Sequence, residues 1–373
     1  MADLFMRISY CKSWTALVSS MLLSTYSDHV GRRFILMTPF CCISINLSLL
    51  AVVYGLDLPL YLLYVGNVIE GLGGSWFIVL VGGYSVMADI STGTNARILW
   101  IMALNTLQNV FMAGGLMGNG LMIKYLGFFP TMIFMASSMF AAFLILACFL
   151  PETLPKPKTK SWNPLKNLKK LIGFFLLEGT TRKKVTFCVL LLLFFFGVFD
   201  DLSITAIDAI YQLHQPFCWD SEMIGYYNAF KISSQQIIGF LVLKVFQRMG
   251  FKPGSIAQIG MLFQAAQYTL EGLADSTWQL FLVPVVGAVG TLTVSSVRGL
   301  MSALAGPHNQ GALFGSICAI ETFDSFVSVS VMNTIYSQTV DTFNGMVYLF
   351  MAGFNIITFL LFFIYFAVKV QDS

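Results

Sequence analysis

Ionisable side chains inside long apolar stretches are costly unless paired, so they mark where a chain could do proton or charge chemistry. Asp200 and Asp201 stand side by side in the apolar run 185–213, and Asp208 follows seven residues after Asp201, two turns along the same helical face. Carboxylates in a low-dielectric cavity hold protons more tightly than in water, and adjacent carboxylates repel, so this run could take up and release a proton. Lys231 is the base that lies deep in such a stretch. A lone ammonium there is very costly, so it should pair with a carboxylate such as Asp201 or wait for an anionic solute. Glu70 lies among Gly66, Asn67, Gly71, Gly73, Gly74 and Ser75, either as a working carboxyl or as one satisfied by polar neighbours. Glu321 and Asp324, three apart, share one helical face. Arg298 closes the run Ser295-Ser296-Val297, at a position from which an arginine can snorkel to a membrane surface.

These groups need apolar elements to hold them. Of 373 residues 57% are hydrophobic and 10% charged, against about 25% charged in soluble domains. A soluble enzyme is excluded, and a net charge of +3 is no field for binding nucleic acid. Apolar runs of about 20 residues predict an all-α polytopic membrane protein in a lipid bilayer. Eleven spans are expected, at 6–26, 34–56, 60–88, 97–121, 128–150, 185–213, 222–247, 254–273, 277–298, 309–337 and 343–369. One set of connections holds Arg32 and Arg33, Arg97, nine basic residues between Lys156 and Lys184, Lys244, Arg248, Lys252, Arg298 and Lys369. The other holds Asp57, Lys124, Asp220, Glu222, Glu271, Asp275 and Asp341. The positive-inside rule makes the first set, and the C-terminus, cytoplasmic.

The polar interval 151–184 divides the spans into an N-terminal bundle, 1–150, and a C-terminal bundle, 185–373. Within it Trp162, Leu165, Leu168, Leu171, Ile172 and Phe175 recur at helical spacing beside lysines, the pattern of an interfacial helix or of a plain topology anchor. Gly114, Gly115 and Gly118 suit close helix packing. His29, His214 and His308 make no metal-ligand spacing, and no phosphate-binding loop or nucleophile motif is present, so no metal, cofactor or ATP-driven step is expected. Cys41, Cys42, Cys148 and Cys318 lie in apolar runs as small buried side chains rather than a disulfide framework.

Between the first two spans stands Ser-Asp-His-Val-Gly-Arg-Arg, with Asp28, Gly31, Arg32 and Arg33. Gly31 suits a tight link, and Asp28 can meet the guanidinium forks or a neighbouring helix N-terminus. An eroded copy, Gln247, Gly250 and Lys252, follows 219 residues later, as in a parallel repeat. The hairpin resembles the cytoplasmic signature of the major facilitator superfamily, with Ser24 in place of its leading Gly, and Pro151-Glu152-Thr153 resembles that superfamily's mark after its sixth helix. The resemblance implies two pseudo-symmetric helix bundles, with Asp28, Gly31, Arg32, Arg33 and Asp89 as a gating motif.

Pro216-Phe217-Cys218-Trp219-Asp220-Ser221, Ile224-Gly225-Tyr226, Gln310-Gly311-Ala312-Leu313-Phe314 and Ala88-Asp89-Ile90-Ser91 resemble solute carrier family 46, the family of the proton-coupled folate carrier. That resemblance implies proton-coupled symport of a small organic anion, folate-like or related, across the plasma or lysosomal membrane. It places Asp201, Lys231, Glu70, Asn105 and Glu321 around a central cavity and Arg298 in the charge network. Asn105 falls where the folate carrier has a coupling carboxylate, so coupling would move to Asp201, Glu70 or Glu321. Counted against twelve family helices, the first visible span is the second and the first is missing. The alternative expectation is a truncated, non-transporting membrane protein. Cys218 matches an outer-loop cysteine whose usual partner lies in the missing loop, with Cys11 the other candidate; a free thiol is expected.

Overall fold

The computed structural model describes residues 2–153, 181–213, 216–305, 310–340 and 342–370, which are helical apart from short connections. The helices are α1 (Ala2–Val30), α2 (Arg32–Gly55), α3 (Leu62–Leu72), α4 (Ser75–Ile90), α5 (Thr94–Leu126), α6 (Phe128–Phe149) and α7 (Thr181–Leu213), then α8 (Ser221–Arg248), α9 (Pro253–Gly272), α10 (Thr277–Gly287), α11 (Leu292–Ala305), α12 (Gln310–Thr339) and α13 (Met346–Val370). Among the described residues, eight segments are long and apolar enough to cross a membrane: α2, the α3–α4 pair, α5, α6, α8, the α10–α11 pair, α12 and α13. The expected spans 6–26, 185–213 and 254–273 are also helical, as α1, α7 and α9, but stand outside that group. In α9 the reason is visible, since Gln258, Gln264, Gln267 and Glu271 interrupt the apolar run.

Two expected spans are broken rather than continuous. The stretch 60–88 breaks at Gly73-Gly74, where Gly74 has φ +81° and Ser75 φ +52°, and a Cβ on Gly73 would sit 2.6 Å from Cys42 Cβ. The stretch 277–298 breaks between α10 and α11, beside Gly287 and Gly290, where a Cβ on Gly290 would lie 3.0 Å from the Gly287 carbonyl oxygen. Counting apolar residues cannot detect either break. The expected close packing on Gly114, Gly115 and Gly118 is also not found, because a Cβ at any of them meets nothing within 4 Å. Most of the interval 151–184, including its expected interfacial helix, lies outside the described residues, as do His214 and His308.

The chain divides into two compact units. One comprises Met1–Ile90, Gly118–Glu178 and Ala305–Thr322, the other Ser91–Met117, Gly179–Leu304 and Phe323–Ser373. In the first, α2 packs on α6, α3 and α4, and α1 packs on α3. In the second, α9 packs on α10 and α13, α7 on α13, and α8 on α10. The core of the second unit is aromatic, with Tyr211, Trp219, Tyr227, Tyr268, Tyr336 and Tyr348 in one cluster. Large apolar side chains such as Phe111, Tyr125, Phe134, Phe149 and Phe363 point outward, as befits a surface whose solvent is lipid.

Candidate functional site

In the second unit the buried charges of α7, α8 and α9 converge. Lys231 Nζ lies 2.6 Å from Asp208 Oδ2 and 2.9 Å from Glu271 Oε1. The lysine is 7%, Asp208 3% and Glu271 1% exposed. Lys231 therefore pairs with Asp208 and Glu271 and not with Asp201, correcting the expected partner. Asp208 is correspondingly no solvated carboxylate at a membrane rim. Tyrosines enclose the group. Tyr348 donates to Asp208 Oδ1 at 2.8 Å, Tyr211 donates to the Glu271 backbone carbonyl at 3.1 Å, and Lys231 Nζ stands 5.9 Å from the Tyr227 ring centre. Among the described residues Glu271 Oε2 has no hydrogen-bond partner within bonding geometry. One cation thus faces two carboxylates, a formal surplus of one negative charge in a buried site.

Sequence reasoning placed Glu271 with the outer connections and missed its role. A signal was available: Gln264, Gln267, Tyr268 and Glu271 fall at i, i+3, i+4 and i+7, a polar stripe on one face of α9. That stripe borders a cavity of about 50 Å³ lined by Asp201, Lys231, Gln235, Gln264, Gln267 and Tyr268, with Gly287 and Gly290 on its wall. Asp201 accepts from Gln264 Nε2 at 3.2 Å and from Tyr268 Oη at 3.4 Å. A Cβ on Gly287 would fall 1.8 Å from Gln267 Oε1, so glycine there lets α10 close on the stripe.

Adjacent Asp200 and Asp201 have different surroundings. Asp201 is exposed, whereas Asp200 is fully buried and accepts from Asn355 Nδ2. Among the described residues no base lies within ion-pair distance of either. Asp324 is also buried and bears electrostatically on Asp200. Arg298 is buried beneath the Phe194 ring, 5.4 Å from its centre, rather than snorkelling outward. Asn105 donates to Ser295 Oγ at 3.3 Å. Of the residues expected around one cavity, Asp201 and Lys231 line this one, Asn105 is turned to Ser295, and Glu70 and Glu321 belong to the other unit.

The first unit holds two further charge groups. Glu70, 6% exposed, pairs with Lys12 and accepts from Asn46 Nδ2 at 2.5 Å and Ser75 Oγ at 3.1 Å. Its neighbours do satisfy it, and Lys12 is a partner that sequence reasoning did not assign. The other group is the hairpin. Gly31 at φ +128° links α1 to α2, and a Cβ there would strike the Glu152 carboxylate. Arg32, 1% exposed, joins Asp28 at 2.8 Å and Asp89 at 3.0 Å. Asp28 also accepts the backbone N–H groups of Gly311 and Ala312, both at 2.9 Å, in the first turn of α12. Asp28 thus meets both a guanidinium and a helix N-terminus, the two partners its sequence position offered. Glu152 accepts the backbone N–H of Arg32 at 2.7 Å and of Arg33 at 3.2 Å, and Arg33 donates to the Ala147 carbonyl. The eroded copy keeps the positive-φ glycine, Gly250 at +79°, but among the described residues shows no such ion network. Cys218 is a free, exposed thiol.

The sequence profile described as Major Facilitator Superfamily matches residues 8–329. The lysosomal proton-coupled steroid conjugate and bile acid symporter SLC46A3 of Gallus gallus is 26% identical over 350 residues, which cover 92% of this chain and 75% of that protein. The proton-coupled folate transporter of Rattus norvegicus is 22% identical over 339 residues, 90% of this chain and 72% of that protein. In fold, the chain is similar to the human organic anion transporter MFSD10, with a TM-score of 0.77 at 16% identity over 95% of this chain and 82% of that one.

Proposed function

The chain belongs to the Major Facilitator Superfamily, and we propose that it is a secondary active symporter moving a small organic anion together with protons. The observation that carries the proposal is the buried Asp208–Lys231–Glu271 group against the cavity bordered by Asp201. Lys231 supplies the positive charge an organic anion requires, and the surplus carboxylate is a place for a proton. An anion that approaches Lys231 competes with Asp208 and Glu271 for the ammonium. Each carboxylate so displaced is stranded in a low-dielectric site unless a proton neutralises it, which ties anion entry to proton uptake. Asp201, open to the cavity, is the relay between that proton and water, and Asp200 and Asp324 are its acidic neighbours.

Transport then proceeds by alternating access of two halves, 1–150 and 185–373, joined by the basic linker 151–184. Asp28, Gly31, Arg32, Arg33 and Asp89 form the gating motif at one end of that cycle. Glu70 with Lys12, and Glu321, are further coupling candidates. The basic connections put the C-terminus in the cytoplasm, with the protein in the plasma or lysosomal membrane. The names of the relatives, which carry folate in one case and steroid conjugates and bile acids in another, support an organic anion as cargo.

The test is uptake into proteoliposomes of folate, a bile acid and a steroid conjugate under an imposed acid-outside gradient. Accumulation of at least one that rises as the outer pH falls, and collapses with a protonophore, supports symport. Uptake of all three indifferent to the gradient would rule out proton coupling.

A further inference from the structure

A second cavity, of about 800 Å³, lies in the second unit and shares no lining residue with the Asp201 cavity. Its polar wall is built from the starts of α5 and α9 and from two residues of α7. Thr92, Gly93, Thr94, Asn95 and Ala96 enter α5, Lys183 and Thr186 stand in the first turns of α7, and Lys252, Pro253 and Gly254 open α9. The first free hydrogen bond acceptor position of α5 is closed by Arg97 N–H to the Gly93 carbonyl, and that of α9 by Ile256 N–H to the Lys252 carbonyl. The amides ahead of these, those of Thr94 to Ala96 and of Gly254, have no partner within their helices. Pro253 contributes no N–H and presets the α9 turn.

Two positive helix ends, those of α5 and α9, and two ammonium groups therefore surround one volume, and among the described residues no carboxylate lines it. Thr186 points independently to a ligand: it is 6% exposed, lines the cavity, and among the described residues its Oγ1 has no hydrogen-bond partner. Leu300, Leu304, Tyr365 and Phe366 make the remaining wall apolar.

We propose that this cavity binds a multiply phosphorylated anion, separately from the transported solute. Phosphate is the group that helix N-termini and lysines recognise together. Several phosphates suit the site better than one, since its positive centres are spread around a volume far larger than a single phosphate. The same chemistry is offered by a phosphoinositide head group, whose chains would lie along Leu304 and Phe366, and by a soluble polyphosphate.

The full chain in phosphatidylcholine nanodiscs provides the assay. Dioctanoyl phosphatidylinositol bisphosphate and inositol hexakisphosphate are titrated separately by calorimetry, with dioctanoyl phosphatidylcholine as control. Saturable binding of the lipid alone assigns a membrane ligand, binding of the soluble ester alone assigns a free one, and either supports the site. Lys183→Glu with Lys252→Glu should weaken binding at least about tenfold. Leu304→Trp, which crowds the apolar wall and leaves the charge intact, should also weaken binding, and it decides the matter if the double variant fails to fold. Neither probe binding above the control, or wild-type affinity in a folded Leu304→Trp protein, would overturn the proposal.

Discussion

Arg32 in the first unit and Lys231 in the second are each buried between two carboxylates. The carboxylates are held differently. Asp28, beside Arg32, also accepts two backbone N–H groups from the first turn of α12, so the positive end of a helix dipole absorbs charge there. Arg32 itself is a planar fork that engages each acid from a different nitrogen, and Glu152 ties the backbone beneath it. That group can change only if helices move, which suits a latch. Around Lys231 the other partners among the described residues are a tyrosine hydroxyl on Asp208 and nothing within bonding geometry on Glu271 Oε2. A lysine is a compact point charge with rotatable donors, and a cavity adjoins it. That group can rearrange by moving side chains and one proton. The same arrangement, a cation between two acids, is therefore suited to two different uses, and what the carboxylates touch besides the cation decides which.

The largest effect should come from Lys231→Ala, which strands two carboxylates in a dry site. Breaking a buried pair costs about 3 to 5 kcal/mol, so thermal unfolding of the detergent-solubilised variant should drop steeply and uptake should vanish. Equal stability with wild type would mean the two acids are not held against the lysine as charges, and the comparison would collapse.

Glu271→Gln comes next. Gln keeps an acceptor for Lys231 but removes the surplus charge, so folding should survive. Wild-type uptake should rise as the outer pH falls, because protons must fill the surplus carboxylate. In Glu271→Gln that slope should flatten. Gradient-driven accumulation should fall about tenfold or more, within the usual range of a coupling free energy, with solute exchange in the absence of a gradient retained. Arg32→Lys should be smaller in effect, since one ammonium cannot reproduce a fork placed on two acids. A loss of about 2 kcal/mol in stability with lowered initial rates is expected, and the pH slope should stay as in wild type.

Much of this was legible from local signals. Each apolar run expected to be a span is helical over most of its described length, two of them as broken pairs, because hydrophobic length and the Gly and Pro residues between runs act within one segment. The hairpin was legible too, since Asp28, Gly31 and Arg32 are close in sequence and their chemistry admits few partners. The breaks at Gly74 and between Gly287 and Gly290 were not, because they depend on positive φ and close backbone approach rather than on hydropathy. The partner of Lys231 was hidden for a different reason. Asp201, Asp208 and Glu271 are equally plausible by residue type, and only the packing of α7, α8 and α9 selects two of them. Glu271 was further disguised by standing at the end of its apolar run, where a carboxylate ordinarily meets water.

The smallest expected effect, Asp28→Asn, probes the latch at its neutralised end. The amide keeps one carbonyl oxygen for the N–H groups of Gly311 or Ala312 but loses its charge for Arg32 and for the helix dipole. A carboxylate at a helix N-terminus contributes about 0.3 to 1 kcal/mol, and a charge-assisted hydrogen bond adds a comparable amount. Asn should therefore destabilise by about 1 kcal/mol, less than Arg32→Lys, because Asp89 still holds Arg32. The pH slope of uptake should be unchanged, since a guanidinium and a helix end, rather than a proton, meet the charge of Asp28. If Asp28→Asn flattened that slope as Glu271→Gln is expected to, the Arg32 group would also be exchanging a proton during transport. The distinction between a latch and a titrating site would then have to be drawn elsewhere.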